Sequence, residues 1–116
     1  MKKINIIQKS SDFERIIKNN QSFKYKYYII YLEKVDNITP YKFGISVSKK
    51  ITNAVGRNKI KRRLKDIIDK NNYQNSFNCI IIVRKEILSK SYQEMCIDLN
   101  EAFKKLHILK GEKYEK

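Results

Sequence analysis

Apolar positions recur along this chain at two periods, and the switches between them mark out its elements. Phe13, Ile16 and Ile17 fall on one side of a helix. Ser11-Asp12-Phe13-Glu14 reads as a capping box that starts it, with Glu14 three residues after Ser11, and Asn19-Asn20 ends it. Residues 25–32 are aromatic or branched apolar apart from Lys26, the composition of a strand. Alternation puts Tyr25, Tyr27, Ile29 and Tyr31 on one face and Tyr28, Ile30 and Leu32 on the other. A polar connection follows over residues 33–40, and residues 42–48 predict a second strand. The helical period then returns. Ile60, Leu64, Ile67 and Ile68 stand at i, i+4, i+7 and i+8, with Thr52 or Asn53 as the candidate N-cap.

After Asn71-Asn72, residues 77–83 are apolar on both faces, as expected of a strand covered on both sides. Ser91 and Glu94 form a second capping box, and Tyr92, Met95, Cys96, Leu99, Phe103 and Leu106 give the last helical stripe. Ile4, Ile6 and Ile7 precede these elements as packing candidates, and Gly111 and a charged tail follow them. Strand, helix, strand in the middle predicts a βαβ unit with parallel strands, right-handed in about 98% of such crossovers. The expected architecture is an α+β sandwich, a small sheet with helices packed on it, with residues 1–116 as one domain. The chain shows no repeats and no low-complexity segment.

Charge adds a second, independent signal. There are 26 Lys+Arg against 12 Asp+Glu, a formal net charge of +14. The cations concentrate in residues 49–65, KKITNAVGRNKIKRRLK, and no acidic residue occurs from Tyr41 until Asp66. That balance points to nucleic acid first, an anionic membrane second and an acidic protein third. No apolar run approaches the roughly 20 residues needed to span a bilayer. The N-terminus has no signal-peptide pattern, so a cytoplasmic protein without a membrane role is expected. Cys79 and Cys96 lie in apolar contexts and read as buried thiols.

Three groups of residues are candidates for chemistry. On the basic helix, Asn58, Arg62, Lys65 and Asp69 lie opposite the apolar stripe, and Lys59 and Lys61 flank them. Arg57 projects beside the stripe in the first turns. Cations there oppose the helix macrodipole at about 0.3–1 kcal/mol each, and phosphate would reverse that sign. A solvated charged face is the alternative, although such faces usually mix signs. The second group is Tyr25, Tyr27 and Tyr31, with Phe13 a possible neighbour. It is either core and half-exposed sheet, or a platform for stacking single-stranded bases with Lys24 and Lys26 holding phosphates. The third is a catalytic site, and here the sequence offers little. His107 is the single histidine, and there is neither a Gly-rich phosphate loop nor a metal-spaced ligand pair. Neither a catalytic residue nor a protein metal site is predicted.

The run Phe43-Gly44-Ile45-Ser46-Val47-Ser48-Lys49-Lys50, then Asn53-Ala54-Val55, then Arg57-Asn58-Lys59-Ile60-Lys61-Arg62, resembles the signature of the bacterial ribonuclease P protein subunit. The likeness extends more weakly to Asp12-Phe13, the aromatic strand and the run from Ile81 to Lys85. It implies an α-β-β-β-α-β-α fold with a short extra strand near Ser22 to Lys24 and a left-handed βαβ crossover. It also implies a catalytic RNA partner that, with Mg²⁺, cleaves precursor tRNA to remove the 5′ leader, while this chain breaks no bond. One copy per RNA is the expected stoichiometry. Positions implied to face the catalytic RNA are Lys49, Lys50, Asn53, Arg57, Asn58, Lys59, Lys61, Arg62 and Lys65. Those implied to line a leader cleft are Phe13, Ile17, Tyr27, Ile29 and Tyr31. Lys59 stands where the family has an arginine, which keeps charge but not the bidentate fork. Ile17 stands where a second aromatic is common, and Ile6 where a basic residue is frequent. The alternative is a general RNA-binding protein, such as a ribosome-associated module.

Overall fold

Strand Phe77–Val83 (β4) is the position on which both periodicities converge. In the computed structural model, which describes residues 1–111, it lies inside a four-stranded sheet of order β1-β2-β4-β3. The other strands are Ser22–Tyr25 (β1), Tyr28–Lys34 (β2) and Lys42–Ser46 (β3). The helices are Ser10–Asn19 (α1), Ala54–Asp69 (α2) and Tyr92–Leu106 (α3). β4 runs antiparallel to β2 and parallel to β3, and α2 makes the connection between the parallel pair. The result is a mixed α+β fold.

Strand alternation divides the apolar residues between two layers. Phe77, Cys79, Ile81 and Val83 of β4 join Tyr28, Ile30 and Phe43 in the main core. The stripes of α2 (Ile60, Leu64, Ile67, Ile68) and α3 (Met95, Leu99, Phe103) complete it. Ile80 points to the other face, where it forms a smaller cluster with Ile7 and Ile16 under α1. β4 is therefore covered on both sides, as its composition predicts. Ile7 also donates its backbone N–H to Phe43 O at 2.9 Å, so the N-terminal segment runs along the outer edge of β3.

Three local expectations are corrected. The Ser11–Glu14 capping box does not form. α1 starts two residues earlier than that box requires, Lys9 is its cap residue without a side-chain bond, and Ser11 lies inside the first turn. The second box does form. Ser91 Oγ accepts from Glu94 N at 3.1 Å and Glu94 Oε1 accepts from Ser91 N at 2.9 Å. Residues 25–32 are not one strand. They are the end of β1, a two-residue turn of Lys26 and Tyr27, and the start of β2, with Tyr25 paired to Tyr28. Lys26 takes a φ of 56°, a conformation usually left to Gly, Asn or Asp, so the sequence carries no turn signal there. The extra strand implied near Ser22 to Lys24 is β1. Lastly, Cys79 is buried, but Cys96 is only half-buried.

Candidate nucleic-acid interface

The basic surface is built by the loop between β3 and α2 and by α2 itself. Asn53, of the two candidates, caps the helix, its Oδ1 accepting from Gly56 N at 2.9 Å. Thr52 packs over the same turn. A Cβ added at Gly56 would stand 2.5 Å from Thr52 Oγ1, so a glycine lets loop and helix close on each other. Arg57 Nη1 donates to Thr52 O at 2.9 Å and ties the guanidinium back to the loop. Ser48 Oγ accepts from Lys50 N at 3.1 Å and shapes the turn that presents Lys49 and Lys50. Lys49, Lys50, Asn53, Asn58, Lys59, Arg62 and Lys65 are exposed, and Arg57, Lys61 and Arg63 are half-buried. Among the described residues, none of Lys49, Lys50, Arg57, Lys59, Lys61, Arg62, Arg63 and Lys65 forms an ion pair with a carboxylate. The positive field of this surface is uncompensated from within.

The second surface lies on the opposite side of the sheet, beside α1. Strand register sets it out in rows, because directly paired residues project from the same face. One row is Lys24, Ile29, Ile82 and Ser46; the next is Ser22, Tyr31, Ile80 and Gly44. Phe13 of α1 rests on Gly44, so closely that an added Cβ would stand 2.5 Å from Phe13 Cζ. Phe13, Ile17, Tyr31 and Ile82 are half-exposed around the Ile16–Ile80 contact, as is Ile29 in its row. The next row, Glu33, Asn78 and Lys42, is polar. Glu33 accepts from Arg15 Nη2 at 2.9 Å, Arg15 Nε at 3.3 Å and Asn78 Nδ2 at 2.7 Å. The Arg15 hydrogen bonds hold the Glu33 carboxyl below its ordinary range. The face is thus an apolar shelf with aromatic edges, closed at one end by a carboxylate fixed to an arginine.

The sequence-predicted cleft residues do not all meet. Phe13, Ile17, Ile29 and Tyr31 share this shelf. Tyr27 does not. It sits in the hairpin turn, is 3% exposed in the main core, and donates to Asp98 Oδ2 at 2.7 Å. Burial, then Asp98, pushes its hydroxyl pKa up. The turn inserts after β1, so strand alternation does not run from Tyr25 through Tyr31. Tyr25 accordingly faces α3, its hydroxyl 2.5 Å from Glu101. Lys24 lies on the shelf, whereas Lys26 stands 3.9 Å from Asp98 on the other side. Sequence reasoning missed Ile82, Ser46 and Gly44 as parts of the shelf. Their signal was the parallel pairing of β3 with β4, which fixes which alternate residues share a face.

Among the described residues no group of three His, Cys, Asp or Glu is placed to hold a metal ion. His107 ends α3, with a φ of 59° that breaks the helix. Among the described residues no helix is long and apolar enough to cross a membrane.

An α+β domain with an uncompensated basic helix on one face and an apolar, aromatic-edged shelf on the other belongs to the class of polyanion-binding proteins. The comparisons narrow this. The Ribonuclease P family model matches residues 1–107. The ribonuclease P protein component of Mycoplasmopsis synoviae is 35% identical over 104 residues, covering 89% of this chain and 90% of that one. The solved structure of the Staphylococcus aureus RNase P protein is similar with a TM-score of 0.82 at 30% identity, covering 92% of this chain and 99% of that one. The Thermotoga maritima RNase P protein gives a TM-score of 0.73 at 25% identity, with 81% and 90% covered. The chain belongs to the ribonuclease P protein component family. That membership makes it a subunit of a ribonuclease P holoenzyme that acts in tRNA processing in association with the ribonuclease P RNA.

Proposed function

We propose that α2 and the loop before it bind the catalytic RNA, and that the shelf beside α1 binds the 5′ leader of precursor tRNA. The observation that carries this is the set of eight cations on residues 49–65 without a carboxylate partner among the described residues. A phosphate backbone supplies the missing counter-charge. Lys49, Lys50, Asn53, Arg57, Asn58, Lys59, Lys61, Arg62 and Lys65 make those contacts. Phe13, Ile17, Ile29 and Tyr31 take leader bases, by stacking and apolar contact that any base can satisfy, and Lys24 takes a phosphate. Bond-breaking belongs to the RNA and its Mg²⁺, with one copy of this chain per RNA in the cytoplasm.

Reconstitution tests the reading. The purified protein, mixed with a bacterial ribonuclease P RNA and a precursor tRNA at low Mg²⁺, should restore cleavage at the mature 5′ end. Protein alone should be inert. Cleavage that survives ribonuclease treatment of the protein would overturn the assignment of chemistry to RNA. In the assembled holoenzyme, Tyr31→Ala should weaken precursor binding about five- to a hundredfold, as for loss of one stacked base of about 1–3 kcal/mol, and leave mature tRNA unaffected. Tyr31→Phe should be nearly silent. Equal losses for both tRNAs would place the leader elsewhere.

A further inference from the structure

We infer that the groove on the α3 side of α2 seats a single extruded nucleotide of the partner RNA, an inference that rests on the function proposed above. Lys59 and Ile60 stand one helical turn before Arg63 on that side of α2. Facing them are Leu88, from the short 3-10 turn Lys85–Ser89, and Lys90, just before the cap of α3. The groove between them measures about 180 Å³. Its floor is apolar: Ile60, Ile87 and Met95 are buried beneath it, while Leu88 remains 48% exposed. Its rim is cationic, and none of Lys59, Arg63 and Lys90 forms an ion pair among the described residues. Further along, Asp66 of α2 and its C-cap residue Lys70 are both tied to the Tyr92 hydroxyl.

A lone exposed leucine is ordinary on a protein surface. A leucine that walls a groove beside Lys59 and Arg63, neither of them paired with a carboxylate among the described residues, is a different case, because it pairs an apolar contact with an anion site. A nucleotide offers both within one unit, a flat base and its phosphates. An acidic peptide offers the charge without the plane. A membrane surface needs a broad apolar patch, and this one is a single residue wide. The volume lies below the roughly 300–1,000 Å³ of pockets for drug-sized ligands, which suits one base and excludes a duplex. The groove is also continuous with the basic face, since Lys59 lines the groove and stands one turn from both Arg62 and Arg63. RNA lying along Arg62 has only to turn one base inward, and the planar guanidinium of Arg63 can lie against it.

The test uses the full chain and ribonuclease P RNA. Leu88→Ala, Leu88→Glu and Arg63→Gln are compared with wild type by equilibrium binding and by base-resolved chemical probing of the complex, with circular dichroism to confirm the fold. Leu88→Ala should weaken assembly about fivefold, as expected for losing roughly one buried methylene's worth of contact or slightly more. Leu88→Glu should weaken it more than the alanine variant. A single unpaired nucleotide protected by wild type should become reactive with all three variants. Wild-type affinity and an unchanged protection pattern in the Leu88 variants would overturn the inference alone. Failure of the wild-type chain to bind the RNA would overturn the functional reading and this inference with it. Loss of binding to anionic phospholipid vesicles in Leu88→Glu, with RNA binding intact, would assign the groove to a membrane and overturn the proposal.

Discussion

Gly44 owes its place to the ring above it. With a Cβ site 2.5 Å from Phe13 Cζ, any larger residue must push the ring off the sheet. Gly44→Ala should therefore destabilise the fold by about 1–3 kcal/mol, the usual cost of overpacking, and lower the precursor-to-mature affinity ratio toward unity by displacing Phe13. Adding Phe13→Leu to that variant should recover melting temperature without recovering leader discrimination. Recovery of both would show that Phe13 acts only as packing. Glu33 makes a second prediction at this scale. Its folded pKa is lowered chiefly by the Arg15 hydrogen bonds, so its contribution to stability is present above the ordinary carboxylate range and is lost as pH falls through the lowered value. The melting-temperature gap between wild type and Glu33→Gln should close between pH 7 and pH 3. It should be small throughout, because Arg15 is 45% exposed and solvent screens the pair. A gap that widens on acidification would contradict the assigned direction.

The two serine boxes look alike in sequence and differ in structure, which makes them a test at the scale of elements. Ser91→Ala removes an observed reciprocal cap and should cost about 1 kcal/mol by denaturant or thermal melting. Ser11→Ala removes no cap bond and should be nearly silent. Equal costs would mean that α1 starts at Ser11 after all. The contrast also explains what the sequence could and could not reveal. α2, α3 and β4 were legible because each carries a long apolar pattern with a single period, and Ile60, Leu64, Ile67 and Ile68 are buried as that pattern predicts. The hairpin was illegible because its turn uses Lys26 at positive φ inside an unbroken aromatic run. That one insertion moved Tyr27 from the predicted cleft to the core, where the Asp98 carboxylate satisfies its hydroxyl. The basic face was readable from composition, since charge density needs no register. The shelf was readable only in part, because Ile82, Ser46 and Gly44 join it through pairing between strands distant in sequence.

At the scale of the whole molecule, the two proposed RNA sites differ in physical character and meet at the β3 edge, where Lys61 and Lys65 line the same cleft as Phe13 and Gly44. The α2 side is dominated by uncompensated charge; the α1 side is mostly apolar, with Lys24 as the cation in its exposed row. Counter-ion release then separates them. Binding through charge loses about 0.7–0.9 log units of affinity per phosphate contact for each tenfold rise in salt, whereas stacking on rings and aliphatic side chains has no such dependence. Assembly with the catalytic RNA should therefore fall steeply with salt, and Lys49→Ala with Lys50→Ala should lower the slope by about two contacts. The ratio of precursor to mature tRNA affinity, measured in the assembled holoenzyme, should fall with a shallower slope than assembly, of which Lys24 supplies about one contact. Lys24→Ala should flatten it by that much. A discrimination ratio that collapses with salt as steeply as assembly does would mean that the leader is held by the basic helix and that the aromatic shelf serves the fold alone.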